Sequence, residues 1–115
     1  MLTAEARVQT ANASRYLGQL CSHATKFSHR LRHLHGGGAR PEILGVDWTD
    51  THGTLDLSWG KCTLDADPAT LTVRVDAEDE ENLRRVQDIV AADLERFGRR
   101  DGVAVSWQRL TSDTP

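Results

Sequence analysis

Between residues 71 and 97 the spacing of apolar side chains changes period, and this limits the fold more than any other feature of the 115-residue sequence. Leu71, Val73 and Val75 recur at every second position, which in a strand puts them on one face. Beyond Val75 the interval lengthens to that of a helical stripe: Leu83, Val86, Ile89, Val90, Leu94 and Phe97. Asp76 or Asp79 can cap that helix, and the acidic run Glu78-Asp79-Glu80-Glu81 suits its positive end. Glu80 with Arg84 and Glu81 with Arg85 are favourable pairs four apart, and Gly98 is a natural stop. A strand and a helix that each bury one side satisfy both by packing the helix on the sheet.

The rest of the chain repeats this logic. Ala4, Ala6 and Val8 alternate as a first strand, and Asn12 or Ser14 can cap a helix carrying Leu17, Leu20, Cys21, Ala24, Leu31 and Leu34. Gly36-Gly37-Gly38 and Pro41 end it. Leu44, Val46 and Trp48 alternate next, followed by a turn at 50–53. Leu55, Leu57 and Trp59 alternate in turn, and Cys62, Leu64 and Ala66 continue on the opposite parity, which predicts a bulge or tight bend at Gly60. Asp65-Ala66-Asp67-Pro68 reads as a turn and Val103, Val105 and Trp107 as a last strand, with 111–115 a flexible tail. The expected fold class is α+β, a single domain over 1–110. Two helices, about 13–34 and 79–97, pack on one face of a mainly antiparallel sheet of about five strands in the order β-α-β-β-β-α-β. Arg7-Val8 before the first helix and Arg74-Val75 before the second are a faint internal echo.

Composition narrows the function. Fourteen Lys and Arg against seventeen Asp and Glu leave a formal charge of −3, without the basic excess of a broad nucleic-acid surface. No apolar run is long enough for a membrane span, and the first residues lack the apolar region of a signal peptide, so the expected compartment is the cytoplasm. There Cys21 and Cys62 are expected as free thiols.

Several groups are candidates for chemistry. His29 and His33 are four apart and project from one helical face, with His35 just beyond, a spacing suited to a transition metal. The competing reading is a solvated basic helix end, since Lys26, Arg30 and Arg32 are interleaved and no carboxylate supports the imidazoles. Cys21 lies in the apolar stripe, where a thiol usually behaves as a small hydrophobe, and Cys62 lies on a strand beside Lys61. The Gly36-Gly37-Gly38-Ala39-Arg40 loop is an anion cradle or, more simply, a linker. Trp48, Trp59 and Trp107 all fall on expected strands. On the uncovered sheet face they would make a platform for a flat ligand or a dimer partner.

The run Ser14-Arg15-Tyr16-Leu17, Leu20-Cys21 and His23, then Trp48-Thr49-Asp50, Gly53-Thr54, Trp59-Gly60, Cys62, Leu64, Ala66 and Glu95-Arg96-Phe97, resembles a family of small bacterial proteins known as domain of unknown function 2218. The resemblance spans nearly the whole chain and makes Arg15, Tyr16, Cys21, His23, Trp48, Trp59 and Cys62 its candidate ligand-binding residues. Similar domains also precede the flavin-binding part of some siderophore-interacting reductases, which implies an accessory role in iron or metallophore handling. Against the family pattern, 27–42 looks like an insertion, so a role for His29, His33 and His35 would be particular to this protein. Three function classes follow: a non-catalytic binding module, an enzyme using Cys21, His23 and Cys62 with or without a metal, and a structural dimerisation domain.

Overall fold

The computed structural model describes residues 2–31 and 43–110, and of 26–31 the backbone alone. The chain runs β1 (Leu2–Gln9), α1 (Ala13–Leu31), β2 (Ile43–Trp48), β3 (His52–Leu57), β4 (Gly60–Ala66), β5 (Thr70–Ala77), α2 (Glu80–Phe97), a 3-10 turn Arg99–Asp101 and β6 (Trp107–Leu110). The strands form one sheet in the order β2-β3-β4-β5-β1-β6, antiparallel throughout. This is an α+β fold with two helices, as the periodicity predicts. β1 and β5, each of which leads into a helix, lie side by side.

The sheet has six strands because the segment read as one strand bent at Gly60 is two. Leu57 pairs with Gly60, so Ser58 and Trp59 are a two-residue turn between β3 and β4. A tight turn and a bulge both reverse the parity of apolar positions, so spacing alone does not separate them. Gly60 itself admits no side chain: a Cβ there would stand 2.3 Å from the carbonyl oxygen of Asp76.

Register explains the division of the sheet into two faces. Val8–Leu71, Ala6–Val73 and Ala4–Val75 are opposed across β1 and β5, while Cys62–Val75 and Leu64–Val73 carry the same face onto β4. These side chains are buried together with Leu17, Leu20 and Cys21 of α1 and Leu83, Val86, Val90 and Leu94 of α2. Each buried leucine or valine among them contributes about 1.5–3 kcal/mol by leaving water. α1 lies over β2, β3 and β4, α2 over β5, β1 and β4, and the helices touch each other. Gly53 lets α1 sit low on β3, because a Cβ there would be 3.0 Å from Cys21 Sγ and 3.2 Å from Leu17. The opposite face is mixed and polar, with Glu5 facing Arg74 and Asp56 facing Lys61.

The helix ends follow local chemistry. Asp79, rather than Asp76, caps α2 by accepting a hydrogen bond from the Asn82 N–H at 2.8 Å. Arg85 meets Glu81 as expected, whereas Glu80 turns to Arg109 of β6. Gly98 follows α2 with φ −99°, so its small size is used sterically: a Cβ would meet Val103 at 2.4 Å. Asn12 starts α1 through its carbonyl, which accepts from the Tyr16 N–H, while its side chain is drawn to Asp101. Val103 and Val105 approach the core ahead of β6 and are not strand residues.

Candidate functional site

The helical period splits the motif residues of α1 between two flanks. Tyr16, Leu17, Leu20, Cys21 and Ala24 face the core, and Arg15, Gly18, Gln19, Ser22 and His23 line the other side. Tyr16 is buried along its ring, and its hydroxyl donates a hydrogen bond to the Asp101 carboxylate, which also accepts from Asn12 Nδ2 at 3.2 Å. These bonds hold the Asp101 carboxyl below its ordinary range; the same contact, with burial, raises the Tyr16 phenol.

Both cysteines are buried free thiols. Burial pushes the Cys21 thiol up to about 11 and raises Cys62 further, with the Cys21 sulfur and Asp76 adding to the effect. Thiolate is thus strongly disfavoured at both. Cys21 faces the sheet, whereas His23 leans toward α2, where its ring meets Phe97 edge-on at 5.7 Å. Cys21, His23 and Cys62 do not converge on one accessible point.

The exposed flank of α1 and the end of α2 border an open groove of ≈ 500 Å³ lined by Arg15, Gly18, Gln19, Ser22, His23 and Phe97. Gly18 is one of its lining residues, and among the described residues a Cβ there would meet no heavy atom within 4 Å. Glycine inside a helix costs about 0.5–1 kcal/mol relative to alanine. At Gly18 no contact among the described residues requires it. Arg96 stands behind the groove, its guanidinium 2.9 Å from Asp93, 3.5 Å from His23 Nε2 and 5.5 Å from the centre of the Phe97 ring.

The sequence profile described as "Uncharacterized protein conserved in bacteria (DUF2218)" matches residues 5–108. The chain belongs to the DUF2218 family. Among solved structures, the NMR structure of PA4090 from Pseudomonas aeruginosa is similar at 26% identity and a TM-score of 0.68, covering 94% of this chain and 96% of that one. No curated protein matches.

The tryptophans of this DUF2218 domain do not form the platform that alternation suggested. Trp107 opposes Ala6 and Trp48 opposes Gly53, both on the helix-bearing side of the sheet, and Trp59 sits in the β3–β4 turn. Trp59 lies under the Arg85 guanidinium at 5.2 Å and borders a second cleft of ≈ 600 Å³ by the start of α2, with Asp56, Lys61, Asp76 and Glu78 on its rim. Trp48 is left 42% exposed at the end of edge strand β2.

Of the histidine trio, His33 and His35 lie outside the described residues, as does the Gly36–Arg40 loop, and only the backbone of His29 is described. Among the described residues no group of three or more His, Cys, Asp or Glu side chains is placed to hold a metal ion. Two features escaped the sequence reading. The His52–Asp65 pair at 2.8 Å follows from β3–β4 register, and the Tyr16–Asp101 bond from tertiary packing. A local signal for the groove did exist: a glycine at mid-helix, on the polar flank between Arg15 and Ser22.

Proposed function

We propose that this DUF2218 chain is a non-catalytic binding module whose ligand lies in the groove between α1 and α2. The observation that carries the reading is the conjunction at Gly18. Two motif residues, Arg15 and His23, line one groove together with a helical glycine that has open space beside its Cα. A ligand approaching the helix backbone explains that glycine. The buried, protonated thiols support binding over cysteine-based catalysis. The resemblance to domains that precede siderophore-interacting reductases supports an accessory role in iron or metallophore handling.

The test is an NMR fragment screen on the full chain with cationic, neutral and anionic probes. Binding mapped to the amides of Gly18, Ser22 and His23 is the expected outcome. Hits confined to the cleft at Trp59 would move the site there.

Dimerisation is a second reading, favoured by the exposure of Leu44 (64%) and Trp48 (42%) on edge strand β2. Sedimentation of the wild type against Leu44→Asp tests it: a dimer dissociated by the substitution supports it, and a monomer in both removes it.

A further inference from the structure

We infer that the α1–α2 groove selects a small organic anion, a carboxylate on a flat apolar body; the inference rests on the binding-module reading and specifies its ligand. The first observation is charge. The chain is acidic overall, at −3, yet among the described residues no carboxylate lines this groove: its polar side chains are Arg15, Gln19, Ser22 and His23. Among the described residues, Arg15 has no carboxylate within ion-pair distance. Asp101, whose carboxylate also feels the Arg15 charge, is engaged by Tyr16 and Asn12, and Asp93 by Arg96. A planar guanidinium beside the groove is matched to a carboxylate by two parallel N–H bonds.

The second observation is shape. Arg15, Gly18 and Ser22 follow one another along α1 over about two turns, roughly 10 Å of helix. Gly18 presents backbone rather than a side chain, so a flat body reaches van der Waals contact with the helix there. Phe97 supplies the apolar wall, its ring held by His23 at an interplanar angle of 76°. The volume, ≈ 500 Å³, lies within the range of small-molecule sites, about 300–1,000 Å³. The geometry is that of a single-ring acid: carboxylate at Arg15, ring over Gly18, edge toward Phe97.

The experiment compares benzoate, benzamide and benzylamine on the full chain by amide chemical-shift titration, in the wild type and in Arg15→Gln and Arg15→Lys. The expected result is saturable benzoate binding read at Gly18, Ser22 and His23. Benzamide should bind about tenfold more weakly, as loss of one charge-assisted contact implies. Arg15→Gln should weaken benzoate similarly and Arg15→Lys should restore part of it, with far-UV circular dichroism unchanged in both. Benzamide or benzylamine binding the groove as well as benzoate overturns the anion assignment and leaves the binding module standing. Benzoate contacts scattered over surface cations overturn the assignment as well. Silence of the groove toward all three probes overturns the assignment and the module together.

Discussion

The hydroxyl of Tyr16 donates to the carboxylate of Asp101 across 85 positions of sequence, tying the first turn of α1 to the segment that follows α2. The bond lowers the Asp101 pKa and raises that of Tyr16. For Asp101, folding favours the carboxylate, so its contribution is present above the unfolded carboxyl value, about 3.9, and is lost as pH falls through the lower folded value. For Tyr16, folding favours the phenol, so stability is lost as pH rises beyond about 10. Urea unfolding at pH 3, 7 and 10.5 should therefore show the wild type most stable at neutral pH. Tyr16→Phe should be less stable at pH 7 and change less toward either extreme. A variant with the wild-type pH profile would show that this bond does not carry the linkage.

The two glycines Gly18 and Gly60 should respond to alanine with opposite sign. Gly18→Ala meets open space within a helix and should stabilise by about 0.5–1 kcal/mol. Gly60→Ala drives a Cβ to 2.3 Å from a backbone oxygen of β5 and should destabilise by about 1–3 kcal/mol. Denaturant midpoints give both values. The same Gly18→Ala protein should bind benzoate less well, which separates the role of this glycine from any role in folding.

The thiols should be silent in the native state. Cys21 and Cys62 are both buried, and Cys21 is raised to about 11, so a disulfide reagent at pH 8 should label them only as the chain opens. Cys21→Ala should cost about 1–2 kcal/mol and leave ligand binding intact. Rapid labelling of the folded protein would restore the cysteine-based enzyme as a reading.

The histidine segment makes its own prediction from spacing alone. His29, His33 and His35 should take up a divalent transition metal weakly, and binding should fade below about pH 6.5 as imidazole protonates. His29→Ala with His33→Ala should abolish that uptake. Metal analysis of untagged protein is the measurement, and tight stoichiometric metal lost in the double variant would make this segment the functional centre.

Where apolar spacing acts over a few residues, the sequence was readable. The α2 stripe from Leu83 to Phe97, its Asp79 cap and the alternation of β5 all follow from neighbours within one or two turns. Trp59 marks the limit, because the Ser58-Trp59 turn lacks the Asn-Gly or Gly signature of two-residue hairpins. Trp48 and Trp107 show why the open-face platform was not realised: alternation says two residues share a face, and only pairing with Gly53 and Ala6 says which. Arg15 and His23 were found through the family motif, but their joint groove needs Phe97 from α2, which no short-range pattern on α1 specifies.

The position of β1 also orders events in time. Strands β2 to β5 follow one another through connections of two or three residues, so their pairing needs little loop closure. β1 pairs with β5 across a long separation, Thr3 reaching Asp76 across 73 positions, and β6 pairs with β1 alone, so both should dock after the β2–β5 meander. The expected order of folding would therefore pass through a half-built sheet in which the β5 edge is bare. That interval is when a second unfolded chain competes for the edge. Substitutions that slow β1 docking should lower the yield of refolding at high protein concentration before they change the stability of the finished domain.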